Sequence, residues 1–152
     1  MRIAIGSDHA GFVLKERLKQ ELARLGHQVD DLGTAAGEPP VDYPDHCFPV
    51  AERVAGGHAD RGVVLGGSGI GEAIAANKVR GVRAAVVTSD ETARLTRLHN
   101  DSNVLAMGAR TNPEEDAVRW LRIWLETPFE EGRHVARLRK IEEYENAHLL
   151  PR

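Results

Sequence analysis

Short apolar runs alternate along the chain with stretches whose apolar residues recur at helical spacing. The apolar runs that are candidate strands cover residues 2–6, 29–32, 62–65, 82–87 and 103–107. Between the first two runs, Leu14, Leu18, Leu22 and Leu25 form one stripe of a helix that ends before Gly26. Strands that alternate with helices at this spacing pair in parallel. The pattern therefore predicts an α/β protein with a Rossmann-like, doubly wound, five-stranded parallel sheet in a three-layer α/β/α arrangement.

The predicted helices have recognisable start and stop residues. They cover residues 12–25, 44–55, the glycine loop to about 79, about 88–99, a stretch from about 113, and about 130–147. Thr88 and Glu91 have the spacing of a capping box, and Asn112 is a candidate cap before Pro113 and an acidic first turn. We expect a single domain over residues 1–152.

The last predicted helix is charged and follows no strand. Residues about 129–147 therefore form a C-terminal helical arm, which either docks on a partner subunit or stays a solvated surface helix. The pattern alone leaves both alternatives open.

Charge and composition narrow the class of protein. The formal net charge of −3 gives no reason to expect nucleic acid as a partner, and no apolar run has the length of a membrane span. The chain begins directly with a strand, so we expect no signal peptide. Cys47 is the one cysteine, which excludes an internal disulfide and suits a reducing compartment. These features favour a cytoplasmic protein.

The most informative stretch is the glycine loop from Gly66 to Gly71, which follows an apolar strand and leads into a helix. Its backbone N–H groups, together with the positive end of the helix, make a site for an anion. Glu72 stands where a phosphate-binding loop of an NTPase has lysine, and the dinucleotide-binding spacing of glycines is also missing. A carboxylate that moves a proton beside an oxyanion fits this arrangement. The alternatives are that Glu72 only complements the helix dipole and that Ser68 only caps the helix.

Polar residues follow other predicted strands. Asp8 and His9 follow the first strand, and Ser89 and Asp90 follow the fourth. Because ligands bind beyond the carboxyl ends of strands in open parallel sheets, we expect these residues to converge with the glycine loop. No closely spaced set of metal ligands appears, so we expect no metal.

The last predicted helix carries a candidate phosphate-binding site. Arg133 and Arg137 are four residues apart and share one helix face. Pairing with nearby acids such as Glu130, Glu131 or Glu142 is the alternative.

With these motifs in order, the chain resembles the type B ribose-5-phosphate isomerases, a family that also contains allose- and galactose-phosphate isomerases. The resemblance extends from Met1 to about Tyr144 and rests on 6–11, 66–78, 99–103 and 132–134. It implies interconversion of ribose 5-phosphate and ribulose 5-phosphate through a cis-enediolate, without metal or other cofactor. It also implies a homodimer with shared active sites, in some members paired into a tetramer.

The resemblance also implies roles for particular residues. Glu72 would be the base, and His99 would protonate the ring oxygen with Asp8 nearby. The oxygen of the enediolate would be held by Gly67, Ser68, Gly69, Ile70 and Gly71. Asn100 would bind sugar hydroxyls, and the phosphate would be held by His9, Arg110, Arg133 and Arg137, the last two reaching from one subunit into its neighbour's site.

One departure and two alternatives remain. Many members of the family have a cysteine base where this chain has Gly66, so the chain resembles the branch in which the acid after the loop is the base. The substrate could be a four- or six-carbon sugar phosphate instead. A non-catalytic α/β module is a different class: a receiver domain would need an aspartate at the end of the third strand, and a nucleotide sensor would be stabilised by ATP.

Overall fold

The computed structural model describes residues 1–148, and residues 149–152 lie outside the described part of the chain. The predicted single domain over 1–152 includes those last four residues and stays a prediction. The strands are β1 (Arg2–Ser7), β2 (Gln28–Asp31), β3 (Arg61–Gly66), β4 (Ala84–Val86) and β5 (Val104–Gly108). The helices are α1 (Phe12–Arg24), α2 (Pro44–Ala55), α3 (Ile70–Ala76), α4 (Asp90–Asn100), α5 (Glu114–Glu126) and α6 (Arg133–His148).

The five strands form one parallel sheet in the order β2-β1-β3-β5-β4. In its centre Ile5 pairs with Val63, and Val63 pairs with Leu105. The predicted fold class, with a doubly wound five-stranded sheet between helical layers, is confirmed.

The core lies on both faces of the sheet because successive strand residues point to opposite sides. On one face, large side chains such as Leu65 and Met107 pack with residues of α1 and α5, including the fully buried Trp124. On the other face, smaller residues such as Val64 and Ala106 pack with α2 and α3. Burial on both faces explains why the strands read as continuous apolar runs.

Several predicted boundaries were wrong. The fourth strand covers 84–86 instead of 82–87, and at its start Arg83 donates its backbone N–H to the side chain of Asn103 instead of a strand partner. The capping box of α4 is formed by Ser89 and Thr92, one residue later than predicted. Asn112 does not cap α5, because its side-chain amide donates to the carbonyl of Gly108.

The end of α3 and the start of α6 also differ from the prediction. Helix α3 ends at Ala76, before the predicted 79, and α6 begins at Arg133. Glu131 and Gly132 have φ values of 63° and 55°, which a right-handed helix cannot include. In the described residues, no helix combines the length and the apolar character needed to cross a membrane.

Candidate active site

The glycine loop at the end of β3 has the conformation that the sequence predicts for an anion site. Gly69 is the residue before α3 and has a φ of 80°, which favours glycine. A Cβ there would also lie 2.8 Å from the carbonyl carbon of Met107. The Ser68 hydroxyl accepts the N–H of Ile70 at 3.2 Å, so its own hydrogen remains able to donate.

Glu72, in the first turn of α3, is 3% exposed and points back at the loop. A Cβ placed on Gly66 would overlap the Glu72 carboxylate oxygen Oε1, so the carboxylate occupies the space that a side chain at position 66 would fill. The other oxygen, Oε2, is buried without a hydrogen-bond partner among the described residues. A buried, unpartnered acceptor is unfavourable in a folded protein, which indicates that it is kept for a ligand.

The environment of Glu72 favours the protonated acid more than water does. Burial raises the pKa of Glu72 above its ordinary value, and the negative charge of Asp8 adds to the effect. Backbone N–H groups of Glu72 and Gly69 lower the pKa in part. A raised carboxyl pKa is what a general base needs when it must abstract a proton from carbon near neutral pH.

Three more predicted residues lie on the same edge of the sheet. Asp8 is 7% exposed, and its Oδ1 accepts the backbone N–H of Gly11 at 3.0 Å. The Nδ1 of His9 lies 3.1 Å from the backbone nitrogen of Val41 and 3.2 Å from its carbonyl oxygen, so this contact holds the ring at the carboxyl edge of the sheet. Arg110 lies against the loop, since a Cβ on Gly67 would be 3.6 Å from its Nη1.

Tyr43 is a site neighbour that the sequence interpretation missed. Its ring fills the space beside Gly71, where a Cβ would lie 2.8 Å from Cζ and 3.0 Å from the hydroxyl. The lack of a side chain at position 71 is thus explained by the close approach of the Tyr43 ring as well as by anion binding. The only hint in the sequence is an aromatic residue just before the helix-starting Pro44.

Cys47 is buried behind the site in α2 and belongs to the apolar core. Burial raises the pKa of its thiol, and the nearby charges of Glu72 and Asp8 raise it further. The thiol therefore stays protonated and is unsuited to replace the family's cysteine base.

Ser89 and Asp90 do not join the site, contrary to the expected convergence. Strand β5 separates β4 from β3, so the end of β4 is two strands away from the glycine loop. Ser89 caps α4, and Asp90 accepts hydrogen bonds from Arg119 and Trp120 at 2.8 Å each.

His99 and Asn100 lie at the opposite edge of the sheet from Glu72. Helix α4 starts beyond the carboxyl end of β4 and returns to its amino end, where Arg83 donates to the Asn100 carbonyl at 2.9 Å. A five-residue strand such as β5 separates the two edges by roughly 15 Å. Within one chain, His99 and Glu72 therefore cannot act on the same small molecule.

The start of α6 lies on this second edge beside His99. The rings of His99 and His134 stack with centroids 4.4 Å apart. Arg133 and Arg137 are exposed on α6, and neither guanidinium has an ion pair or hydrogen bond within residues 1–148. The predicted site residues thus fall into two groups. The carboxyl-edge group consists of Asp8, His9, the loop 67–71, Glu72 and Arg110. The amino-edge group consists of His99, Asn100, Arg133 and Arg137, with His134 stacked on His99.

The carboxyl-edge group defines the class of chemistry. A buried carboxylate with a raised pKa stands next to a loop of N–H donors, which is suited to proton transfer at a carbon beside a carbonyl.

Comparison with known proteins agrees with this class. The chain belongs to the ribose/galactose isomerase family, whose model matches residues 3–141. It is 44% identical to ribose-5-phosphate isomerase B of Escherichia coli over 140 residues, which cover 92% of this chain and 93% of the relative.

Two solved structures are also similar to this chain. The structure of Clostridium thermocellum ribose-5-phosphate isomerase B matches with a TM-score of 0.95 and 47% identity, covering 97% of this chain and 99% of that one. The enzyme from Mycoplasma genitalium, solved with bound ribulose-5-phosphate, matches with a TM-score of 0.92 and 39% identity, covering 95% and 96% of the two chains.

Proposed function

We propose that this protein interconverts ribose 5-phosphate and ribulose 5-phosphate in the pentose phosphate pathway. The observation that carries the proposal is the buried Glu72 carboxylate, with one oxygen unpartnered among the described residues, beside the glycine loop. Membership of the family, and relatives that are ribose-5-phosphate isomerases, support the same substrate.

The proton transfer follows from the geometry of the loop. Glu72 takes the proton from C2 of the open-chain aldose and returns it to C1 of the enediolate. The N–H groups of residues 67–71 and the Ser68 hydroxyl hold the oxygen on which negative charge develops. No step needs a metal or another cofactor.

The remaining residues bind and open the sugar. His99 protonates the ring oxygen while Asp8 takes the proton of the C1 hydroxyl, and Asn100 binds hydroxyl groups. The phosphate is held by His9, Arg110, Arg133 and Arg137. Because the phosphate is remote from the reacting carbons, its binding energy positions the sugar for the base.

Because the two groups lie at opposite edges of the sheet, a complete active site requires a second copy of the chain. We infer a homodimer in which the amino-edge group of one subunit completes the carboxyl-edge group of the other. The α6 arm docks on the partner and carries Arg133 and Arg137 with it. Exposed apolar side chains on α3 (Ile70 and Ile74, 57% and 56% exposed) and on α6 (Tyr144, 65% exposed) support burial against another subunit.

Mixing two inactive variants tests the shared site. Glu72→Gln and His99→Ala should each abolish or strongly reduce turnover of ribose 5-phosphate. After unfolding and refolding together, half of the dimers are mixed and each mixed dimer holds one intact site, so about a quarter of wild-type activity returns. No recovery, with mixed dimers confirmed by mass spectrometry, would refute a site shared between subunits.

A four- or six-carbon sugar phosphate remains the alternative substrate. Rates of the metal-free protein on ribose 5-phosphate, allose 6-phosphate and a tetrose 4-phosphate decide between them, and we expect a preference for ribose 5-phosphate. We place this enzyme in the cytoplasm, which the single buried Cys47 and its phosphorylated substrate favour.

A further inference from the structure

Glu130 forms a compact cluster with the two stacked histidines of the amino-edge group. Its Oε2 lies 3.2 Å from His134 Nε2, within hydrogen-bond distance, and 3.7 Å from His99 Nε2. His134 is buried, while His99 is 36% exposed and can reach a ligand. Nothing in the sequence pattern indicates that these three side chains meet.

The backbone holds this cluster in place. The N–H of Glu130 donates to the carbonyl of Leu98 at 3.0 Å, and Arg97 donates to the carbonyl of Thr127 at 3.3 Å. The segment before α6 is therefore fastened along the last turn of α4. The turn through residues 131–132 then brings His134 back over His99.

The arrangement of the rings is unfavourable for a metal ion. The three side chains are close enough to be considered as ligands, since their ligand atoms lie within 4.8 Å of one another. However, the histidine planes are only 14° from parallel, and imidazole lone pairs lie in the ring plane. The two lone pairs therefore do not converge on one ion without a rotation of the buried His134 ring.

We propose that Glu130 is a positioning residue for ring opening, acting through His99. The inference rests on the proposed function. In this step the C1–O4 bond of the furanose breaks, O4 takes a proton from the His99 imidazolium, and Asp8 of the other subunit takes the C1 hydroxyl proton. Glu130 stabilises the imidazolium by charge at 3.7 Å, which is too long for a hydrogen bond and so leaves the N–H of His99 free for O4.

The stacking of His99 on His134 increases the need for the negative charge of Glu130 when His99 is cationic. A cationic His99 faces the ring of His134 at 4.4 Å, and the Nε2–H of His134 donates to the same carboxylate. This hydrogen bond fixes the carboxylate beside the Nε2 atoms of both rings. Because Glu130 is 56% exposed, its charge is partly screened, and we expect about a tenfold effect, below the range for a general acid itself.

Two measurements on the same enzyme separate ring opening from proton transfer at carbon. Turnover of ribose 5-phosphate requires opening of the furanose. Ribulose 5-phosphate has no free hydroxyl that can close such a ring, so exchange of its C1 hydrogen in D2O, followed by NMR, reports proton transfer by Glu72 without ring opening. Both rates are measured for the wild type, Glu130→Gln, Glu130→Asp and Glu131→Gln.

The expected result is specific to one position and one step. Glu130→Gln lowers kcat for ribose 5-phosphate about tenfold and changes the C1 exchange rate less than twofold. Glu130→Asp, which keeps the charge, recovers most of the loss. The neighbour Glu131 is exposed, so Glu131→Gln removes the same charge without effect on either rate.

Other results overturn the inference. Equal losses in both rates for Glu130→Gln would show a general structural role, and no loss in either would show that Glu130 is not used. If the wild type is active while Glu130→Gln matches it, only the inference about Glu130 fails. If the wild type neither converts ribose 5-phosphate nor exchanges C1, the proposed function fails and the inference with it.

Discussion

Gly66→Ala should displace the catalytic base Glu72 while leaving its carboxylate chemically unchanged. The added Cβ would overlap the Glu72 oxygen Oε1, and the carboxylate would have to retreat by more than about 1 Å to reach ordinary contact distance. The loop N–H groups and the phosphate-binding residues are left in place, so substrate should still bind.

The size of the loss follows from that displacement. A misplacement of about 1 Å in a catalytic group lowers the rate by about 10²-fold, and a fully lost general base lowers it by about 10²–10⁴-fold. We therefore expect Gly66→Ala to lower kcat at least about 100-fold with less than about threefold change in KM. The assay is steady-state turnover of ribose 5-phosphate, with thermal unfolding to verify that the variant is folded.

Two controls make the result interpretable. Gly37→Ala adds the same atom at a loop position where the nearest neighbour is 3.7 Å away, and it should leave kcat unchanged. The double variant of Gly66→Ala with Glu72→Gln should be no slower than Glu72→Gln alone, because both changes act on one carboxylate. A folded Gly66→Ala protein that keeps half of the wild-type kcat would refute Glu72 as the base.

Three further changes test stability and binding. Because burial raises the pKa of Glu72, folding favours its protonated form, so the free energy of unfolding falls as the pH rises above the ordinary value of 4.5. Glu72→Gln should therefore raise the melting temperature at pH 7, and the gain should vanish as the pH falls below the ordinary value of 4.5; no gain at pH 7 would contradict this. Arg137→Ala should raise KM about tenfold with kcat little changed, since a charged hydrogen bond to phosphate is lost. The control Arg139→Ala, on the same helix, should leave KM unchanged. If the two variants have equal KM values, Arg137 does not bind the phosphate. Ser102→Ala should lower the free energy of unfolding by about 1–3 kcal/mol in urea titration, because it leaves the buried Nε1–H of Trp124, now bonded to Ser102 Oγ at 2.8 Å, without a partner.

The order and type of elements could be predicted because they depend on local patterns. Apolar runs of strand length alternate with helical stripes, and this periodicity was sufficient for the parallel sheet and its helical layers. Boundaries failed where a side chain competed with the backbone, as with Asn103 at β4 and Ser89 at α4. These competitions depend on which residues meet in space, so periodicity does not reveal them.

Grouping of the candidate residues could be predicted only in part. Glu72 and the glycine loop are adjacent in the chain, so one motif was enough to place them together. Asp90 was expected beside the glycine loop and is not there: it follows the carboxyl end of β4, and the strand order puts β5 between β3 and β4. The overlap between Gly66 and Glu72, and the ring of Tyr43 beside Gly71, depend on side-chain packing that no spacing rule contains.

The sequence by itself determined the fold class, the anion-binding loop and the acid behind it, because each follows from residues within one strand–loop–helix unit. Only the tertiary structure decided that His99 lies on the other edge of the sheet from Glu72, with Glu130 and His134 around it. The reason is geometric: each helix returns the chain to the opposite edge, so residues at the two ends of a helix are separated by the length of a strand.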